Sequence, residues 1–524
     1  MKRVVFSLLV VGCQEAHVQE ESNIVFTEVN TSIVSTVCGA QNPTQIIEVN
    51  GTGLALIDFD NDDDLDLFVV NASNAPCRLY ENVGDKSIVF EDVTERMQID
   101  LKRWANGVAV GDINRDGFDD LYVTCHGANA LLLNAGGESF EEVAVRSGVA
   151  DAGWGTSARF GDLDGDGDVD LYVCNYVEYD FENPPAPATY KGQLVLGGPH
   201  GMTPEKDVVY ENLGDGTFKD ATKKWGFDSD PSFTLNAAIL DFTGDGLQDV
   251  FVGNDSMANY LFVNTGETPT RFENRALQFG SATNGDGAMQ ATMGIAVADV
   301  NGNGRADIFT TNFSSDTNTL LLNDASGFFD DRTKRYGLGL LSRTQLGWTC
   351  GFHDFDLDGD EDLFIVNGHV YPNASMETMD SAREQPVLLL ERKGERFERV
   401  DLPGKYRDRA AVFGDLDNDG DTDVIVAQRG GDVRVLRNDA RLEQPFIVEF
   451  KGACLGAKIH VSFMDGSNTT SWITDGFGFQ SSSKNARKVF TKPISSVEIT
   501  WPSGNQETIV DVPKTGVFRI VVPD

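Results

Sequence analysis

Seven versions of one acidic loop, Asp-x-Asp/Asn-x-Asp/Asn-Gly-x-x-Asp, recur along the 524 residues, and each runs at once into an apolar, β-branched stretch. Oxygen side chains at positions 1, 3, 5 and 9 can converge on one hard cation. A backbone carbonyl near position 7 adds to them, and glycine at position 6 turns the chain around the ion. The ligand positions are Asp58, Asp60, Asp62, Asp66; Asp112, Asn114, Asp116, Asp120; Asp162, Asp164, Asp166, Asp170; and Asp241, Thr243, Asp245, Asp249. Asp299, Asn301, Asn303, Asp307; Asp354, Asp356, Asp358, Asp362; and Asp415, Asp417, Asp419, Asp423 complete the set. This is calcium chemistry, and about seven Ca2+ ions are expected. An EF-hand is excluded, because it needs a bidentate Glu at position 12 and flanking helices. Here DLFVV, DLYVT, DLYVC, DVFVG, DIFTT, DLFIV or DVIVA follows, and these are strands by composition and length.

The copies are unequal. The fifth has only Asp299 and Asp307 as carboxylates and should bind most weakly, since affinity rises with ligand charge. The first has Asp63 where glycine is expected, so its turn carries strain.

Successive loops start 54, 50, 79, 58, 55 and 61 residues apart, a period of repeated supersecondary units. In each unit a run such as GVAVG precedes the loop. A strand follows it, then a segment like ALLLNAG, then a phenylalanine-led piece such as FEEVAVRSGV. Four strands per unit in a radial array make an all-β, seven-bladed β-propeller with a calcium loop in each blade. The seventh unit lacks its phenylalanine-led strand, and an unclaimed one, IVFTEVNTS, stands at residues 24–32. That segment should close the ring, with Phe26 in the place that Phe90, Phe140, Phe218, Phe272, Phe329 and Phe397 hold elsewhere. The propeller is read as 24–441 and a small C-terminal β domain as 442–524.

The loops and blades resemble the FG-GAP repeats of integrin α-subunit propellers. NGHVYP at 367–372, GGPHG with VVYENLGDGTFKD at 197–220, and GAKIHV, TDGFGFQSSS and VEITWPSGNQET near the end are similar to proteins with an ASPIC/UnbV C-terminal domain, the cartilage acidic protein-like family and its bacterial lipoprotein forms. The resemblance implies this fold and calcium, and no defined activity. Relatives carry cysteines where this chain has Ala186 and Gly197, so the resemblance implies no staple there.

The formal charge of −40 is extreme, yet 24 of the 82 carboxylates sit at loop positions. Acidity is therefore largely a metal-binding signature, and it argues against nucleic acid, whose phosphates would be repelled. No apolar run approaches the ~20 residues of a membrane span. MKRVVFSLLVVGC begins with a positive n-region and a short apolar run that ends at Cys13. Residues 1–12 read as a lipoprotein-type signal, Cys13 as the lipidation site and 13–23 as a tether. The expected location is the bacterial outer membrane or cell surface, the periplasm or the exterior, with the lipid anchor as the membrane contact. Export permits disulfides. Cys38 and Cys77 leave the same end of the propeller and are the pair placed to bond, whereas Cys125 and Cys174 are separated by a blade spacing near 10 Å.

The face opposite the calcium loops should carry the ligand site. The 176–207 insertion projects there with Tyr190, Lys191 and His200, and a long excursion of this kind is usually functional. His126, Asn175, Asp255, Asn312 and His369 join from second-strand ends, and Trp104, Asn106, Trp154, Met293, Trp348 and Arg409 from blade-to-blade connections. Two function classes follow. One is a binding or adhesion module for a glycan, protein or small molecule. The other is an enzyme (a lyase, isomerase, cyclase or hydrolase) using His126, His200, His369 and Asp255 for acid–base chemistry. No nucleophile elbow, HExxH or phosphate loop is present. Oligomeric state is not legible.

Overall fold

The computed structural model describes residues 22–84, 86–440, 446–451, 455–483, 487–510 and 516–521. Cys13, Cys454 and the signal and tether up to residue 21 lie outside them. The second repeat shows the common plan: strands Trp104–Gly111, Asp120–His126, Ala130–Asn134 and Phe140–Glu142 form one antiparallel sheet in that order. Seven sheets on this plan occur among the described residues, two of them with a fifth strand: Ser482–Ser483 on the first and Gln290–Ala291 on the fourth. Their innermost strands touch in sequence: Leu54–Ile57, Trp104–Gly111, Gly155–Gly161, Thr234–Leu240, Ile295–Ala298, Gly347–His353 and Asp408–Gly414, with the last against the first.

Period-two alternation builds the walls between blades. In the second blade Val108, Val110, Leu121 and Val123 pack towards Ala55, Ile57 and Phe68 of the first. The intervening Ala109, Tyr122 and Leu131 pack towards Ala158, Phe160 and Leu171 of the third. Both faces are thus buried, which is why these strands read as continuous apolar runs.

Phe26–Val29 pairs antiparallel with Val435–Asn438 as the outer strand of the seventh sheet. It is shorter than the 24–32 run suggests. Phe26 stands opposite Asn438, as Phe140 stands opposite Asn134 and Phe218 opposite Asn212. The equivalence is one of register and not of burial: Phe26 is half-buried against the rings of Phe355 and Phe364, whereas Phe140 is buried. Phe140→Ala should therefore cost about 3–5 kcal/mol, and Phe26→Ala less. A chain beginning after Ser32 should lose more than Phe26→Ala, because it exposes a whole sheet edge. Urea denaturation checks both, and equal midpoints for the truncated and full-length chains would mean that the seam contributes nothing.

A second device links the blades. The asparagine that ends the third strand sends its side-chain Nδ2 into the preceding blade, to the carbonyl of the residue after the first loop aspartate. Asn82 donates to Leu416, Asn134 to Phe59, Asn212 to Ile113, Asn264 to Leu163, Asn323 to Phe242 and Asn438 to Phe355, at 2.7–3.0 Å. In the sixth blade Arg392 replaces the asparagine.

The C-terminal region forms two further sheets. One orders Asn468–Trp472, Lys458–Phe463, Ile494–Thr500 and Gln506–Ile509; the other sets Phe446–Lys451 between Arg487–Phe490 and Gly516–Val521. Val448, Phe450, Ile459, Val461, Val497 and Trp501 are among their shared core.

From this domain residues 475–483 thread the propeller channel. Ser482 and Ser483 pair parallel with Ala55 and Leu56. The hydroxyls of Ser481, Ser482 and Ser483 accept the N–H groups of Leu54, Val110 and Phe413 (3.1–3.2 Å), and Gln480 O accepts Val108 N–H (3.1 Å). An innermost strand is a sheet edge with unpaired backbone groups, and the plug satisfies them. Arg159 fastens it. Its Nη1 donates to Asp475 Oδ2 (3.3 Å) and Ser481 O (3.0 Å), its Nη2 to Asn236 Oδ1 (2.7 Å) and Gly478 O (2.5 Å), and its Nε to Ala237 O (3.0 Å), all fully buried.

Candidate metal centres and the covered face

Each acidic loop folds on its own side chains. In the second, Asp112 Oδ1 accepts Asp116 N–H (3.2 Å) and Asp112 Oδ2 accepts Gly117 N–H (2.9 Å). Gly117 has φ +88, where a side chain would be strained; Asp63 takes φ +76 at the same place in the first loop. Arg519 of the C-terminal domain pairs with that Asp63 at 2.6 Å.

The ninth-position aspartate is the pivot of each blade. Asp66 accepts Phe59 N–H and Asn82 N–H (3.2 and 2.8 Å), and Asp120 accepts those of Ile113 and Asn134 (3.1 and 2.7 Å). Asp170, Asp249, Asp307, Asp362 and Asp423 repeat the arrangement. Burial pushes Asp66 up to about 9 and Asp120, Asp307, Asp362 and Asp423 up to about 8, and neighbouring loop carboxylates add to the effect. Such groups call for a compensating positive charge.

Four loops bring three carboxylate oxygens within 4.8 Å of one another: Asp58, Asp60, Asp62; Asp162, Asp164, Asp170; Asp354, Asp356, Asp362; and Asp415, Asp417, Asp423. Asp60 Oδ1 and Asp417 Oδ1 are buried without a hydrogen-bond partner, as are both oxygens of Asp421. An all-oxygen, multiply charged set with orphaned lone pairs fits a hard divalent cation. The loops at Asp112, Asp241 and Asp299 do not form such a triad among the described residues. In the last of these Asn303 Nδ2 is spent on Asn323 O (2.8 Å), and Lys458 donates to Gly304 O (2.6 Å).

The opposite face, expected to carry the ligand site, is covered. The 176–207 insertion folds across it, with a hairpin of Ala188–Tyr190 and Gln193–Val195. Tyr190 OH donates to Ser314 O (3.3 Å), and Lys191 Nζ reaches Ser315 Oγ (2.6 Å) and Met379 O (2.8 Å). Tyr179 OH reaches Gln45 Oε1 (2.5 Å). Tyr190 and Lys191 therefore fasten the cover to the rim. Beneath it Trp154 is edge-on to Tyr176 and Tyr179, and Trp104 lies against Phe181. Trp348 packs on Phe479 of the plug and donates Nε1 to Gly368 O (2.8 Å). Met293 is buried, its carbonyl accepting Asn236 Nδ2 (3.1 Å). Asn106, Asn175 and Asn312 are buried and donate to Gly155 O, Asp151 Oδ2 and Thr317 O (2.8–2.9 Å). These residues share a face; the amide nitrogens of Asn106, Asn175 and Asn312 and the Trp348 indole hold the protein's own groups, whereas Trp104 Nε1, Trp154 Nε1, Asn175 Oδ1 and Asn312 Oδ1 are buried without a hydrogen-bond partner.

Among the four acid–base candidates, His200 lies close enough to Asp255 for its charge to act on it. His126 Nε2 meets Tyr179 O (3.1 Å). His369 is buried between Ser314 Oγ and Tyr371 N (both 3.1 Å), and burial drives it down to about 3. Asp255 accepts Tyr176 OH (2.6 Å); burial raises it, and this bond, Ser256 and the nearby His200 partly offset the shift. No hydrogen bond joins any two of the four.

The Cys38–Cys77 disulfide is corrected: both are buried free thiols. Cys38 Sγ faces Glu48 O and Gly51 O, and Cys77 Sγ faces Asn71, so each thiol is turned into its own loop. Cys125, Cys174 and Cys350 are also free.

A cavity of about 60 Å³ lies between the domains, lined by His353, Glu361, Phe413, Trp472, Phe477 and Lys488 among others. Burial, with the Lys488 charge, holds His353 down to about 3.

Repeated four-stranded sheets arrayed around a channel, each with an acidic loop after its innermost strand, define a β-propeller of the repeat type. Residues 58–123, 112–173, 194–252, 241–310 and 299–365 match the FG-GAP-like repeat, and 451–523 match the ASPIC and UnbV domain. The chain belongs to the FG-GAP-like repeat family and carries a C-terminal ASPIC and UnbV domain. It is similar to cartilage acidic protein 1 of Xenopus tropicalis, with 24% identity over 517 residues, 93% of this chain and 74% of that protein. Similar solved structures include an Agrocybe aegerita lectin described as recognising non-reducing terminal N-acetylglucosamine. It shares 14% identity and a TM-score of 0.41 over 74% of this chain and 95% of that one. A gluconolactonase from Xanthomonas campestris shares 12% and 0.34 over 66% and 98%.

The sequence reading missed the asparagine links and the plug. Both left a signal: the Asn closing LYEN, LLLN, VYEN, LFVN, LLLN and VLRN, and the Gly- and Ser-rich TDGFGFQSSS.

Proposed function

We propose that this protein is an exported, calcium-rigidified binding module, whose glycan, protein or small-molecule ligand is taken on the face opposite the acidic loops. The observation that carries the calcium reading is the set of four carboxylate triads, two of which hold an orphaned buried oxygen, on Asp60 and Asp417. Binding is favoured over acid–base catalysis because no hydrogen bond joins any two of His126, His200, His369 and Asp255, and all but His200 are held by hydrogen bonds to other groups. Export agrees with the family and with sites that suit calcium-rich surroundings, and lipidation at Cys13 supplies the membrane contact. Among the described residues no helix is long and apolar enough to cross a membrane.

Elemental analysis of the purified protein should find about seven calcium ions per chain, and titration should fill the Asp299 loop last. Two or fewer metals would overturn the reading of most loops. In a bacterial host, mass spectrometry should find a lipid-modified Cys13; a soluble product unaffected by Cys13→Ser would remove the anchor and leave the module standing.

A further inference from the structure

In a chain with 82 acidic and 42 basic residues, four arginines gather on one stretch of rim without acidic partners in proportion. Arg383 Nη2 and Arg407 Nη1 both donate to Gln41 O (3.0 and 3.3 Å), so these nitrogens stand no further apart than those two bonds laid end to end. Arg407 Nη2 also reaches Gln41 Oε1 (3.2 Å). Arg429 donates to Cys38 O (3.1 Å) and twice to Ala40 O (3.0 and 2.5 Å). Arg409 holds Val49 O (2.8 Å) and Gly368 O (3.0 Å), its guanidinium 4.2 Å from the Trp348 ring centroid.

Three guanidinium groups thus converge on the short segment Cys38–Gln41, with a fourth behind them. Among the described residues Arg407, Arg409 and Arg429 make no ion pair, and Arg383 reaches only Glu384, at 4.0 Å. Arg409 and Arg429 are buried; Arg383 and Arg407 are half-buried and keep unused N–H donors. Burial first holds three of them below the ordinary arginine range; Arg383 lowers Arg407, Arg429 lowers Arg409 and Arg407 lowers Arg429, while Glu384, Asp408, Glu48 and the Cys38 thiol offset part of the shift. Anchoring a loop through neutral carbonyls does not require four like charges. Two planar forks with donors to spare can hold an oxyanion between them.

We propose that Arg383 and Arg407, backed by Arg429 and Arg409, bind the oxyanion group of a small ligand such as a sugar acid. This rests on the reading of the protein as a binding module and names the chemistry its ligand face selects. The overall negative charge repels anions elsewhere, so recognition is local and weakens as salt rises.

The test is calorimetric titration of the calcium-loaded full chain with glucuronate, glucose and inorganic sulfate. Glucuronate should bind and glucose should not. Arg383→Gln and Arg407→Gln should each weaken binding at least about tenfold, and Arg407→Lys nearly as much, because it keeps charge but loses the fork. Arg146→Gln, in the second blade, should leave binding unchanged. Sulfate binding with the same sensitivity supports the oxyanion site with a free anion as its occupant. Thermal melting of each variant separates loop anchoring from binding: a variant that lowers the melting temperature yet binds as the parent does overturns the proposal. So does indifference of the parent to both anions, or equal loss in Arg146→Gln. Such a protein, still carrying its calcium, would retain the module reading.

Discussion

Chelation should strip this protein of most of its resistance to unfolding. A site that binds only the folded chain and is held at a hundred times its dissociation constant adds about 2.7 kcal/mol, and domains are stable by about 5–15 kcal/mol in all. Even the four triad loops therefore represent an amount comparable to the whole. The pH dependence should change sign with metal. Asp66, pushed up to about 9, and Asp120, Asp307, Asp362 and Asp423, pushed up to about 8, lie above the ordinary range of an unfolded aspartate near 3.9. A raised folded value favours the fold fully below the unfolded value, and that advantage is lost as pH climbs through 8–9. Metal-free protein should therefore melt higher at pH 6 than at pH 8.5. Calcium-loaded protein should not, since protons compete with the ion and are released when it binds. Scanning calorimetry with and without chelator at both pH values is the check. A melting temperature indifferent to chelator would sink the metal reading, and a metal-free protein most stable at high pH would contradict the buried carboxylates.

Asp475→Ala should cost about 3–5 kcal/mol, because it leaves the Arg159 guanidinium buried in the channel without its charge partner. The damage should spread beyond one residue, since Arg159 also holds Ser481, Gly478, Asn236 and Ala237. Native protein should unfold in one transition and Asp475→Ala in two, with the C-terminal domain released first. Arg159→Met combined with Asp475→Leu should recover part of the loss, because neither charge is then stranded. A single transition within about 1 kcal/mol of the parent for Asp475→Ala would show that the plug is held by its serines alone.

The parts that sequence alone made legible are those set by short spacing. Position-by-position repetition revealed the loops, and the missing seventh outer strand pointed to residues near Phe26, because both depend on local pattern and a count. The C-terminal plug could not be read this way. TDGFGFQSSS has neither helical nor alternating periodicity, and its partners Leu54, Val110 and Phe413 are distant in sequence. The covered face failed for a related reason. Tyr190, Lys191 and His369 look like ligand groups until their partners Ser314, Ser315 and Met379 are known. Residue type announces hydrogen-bonding capacity and does not say who uses it. The arginine rim was half seen: Arg409 was singled out, whereas Arg383, Arg407 and Arg429 carried no motif.

The plug also fixes an order of events. During synthesis the blades emerge from the innermost strand of the first, Leu54–Ile57, to the third strand of the seventh, Val433–Asn438, yet the seventh sheet waits on Phe26–Val29, made before any of them. Segment 475–483 leaves the ribosome after every blade strand and must then enter a channel whose walls it helps to pair. A nascent chain stalled before residue 475 would hold an array with bare inner edges, able to accept a foreign strand. Commitment to the finished ring waits for residues 475–483, which follow every blade strand, and the unfinished ring needs shielding until then.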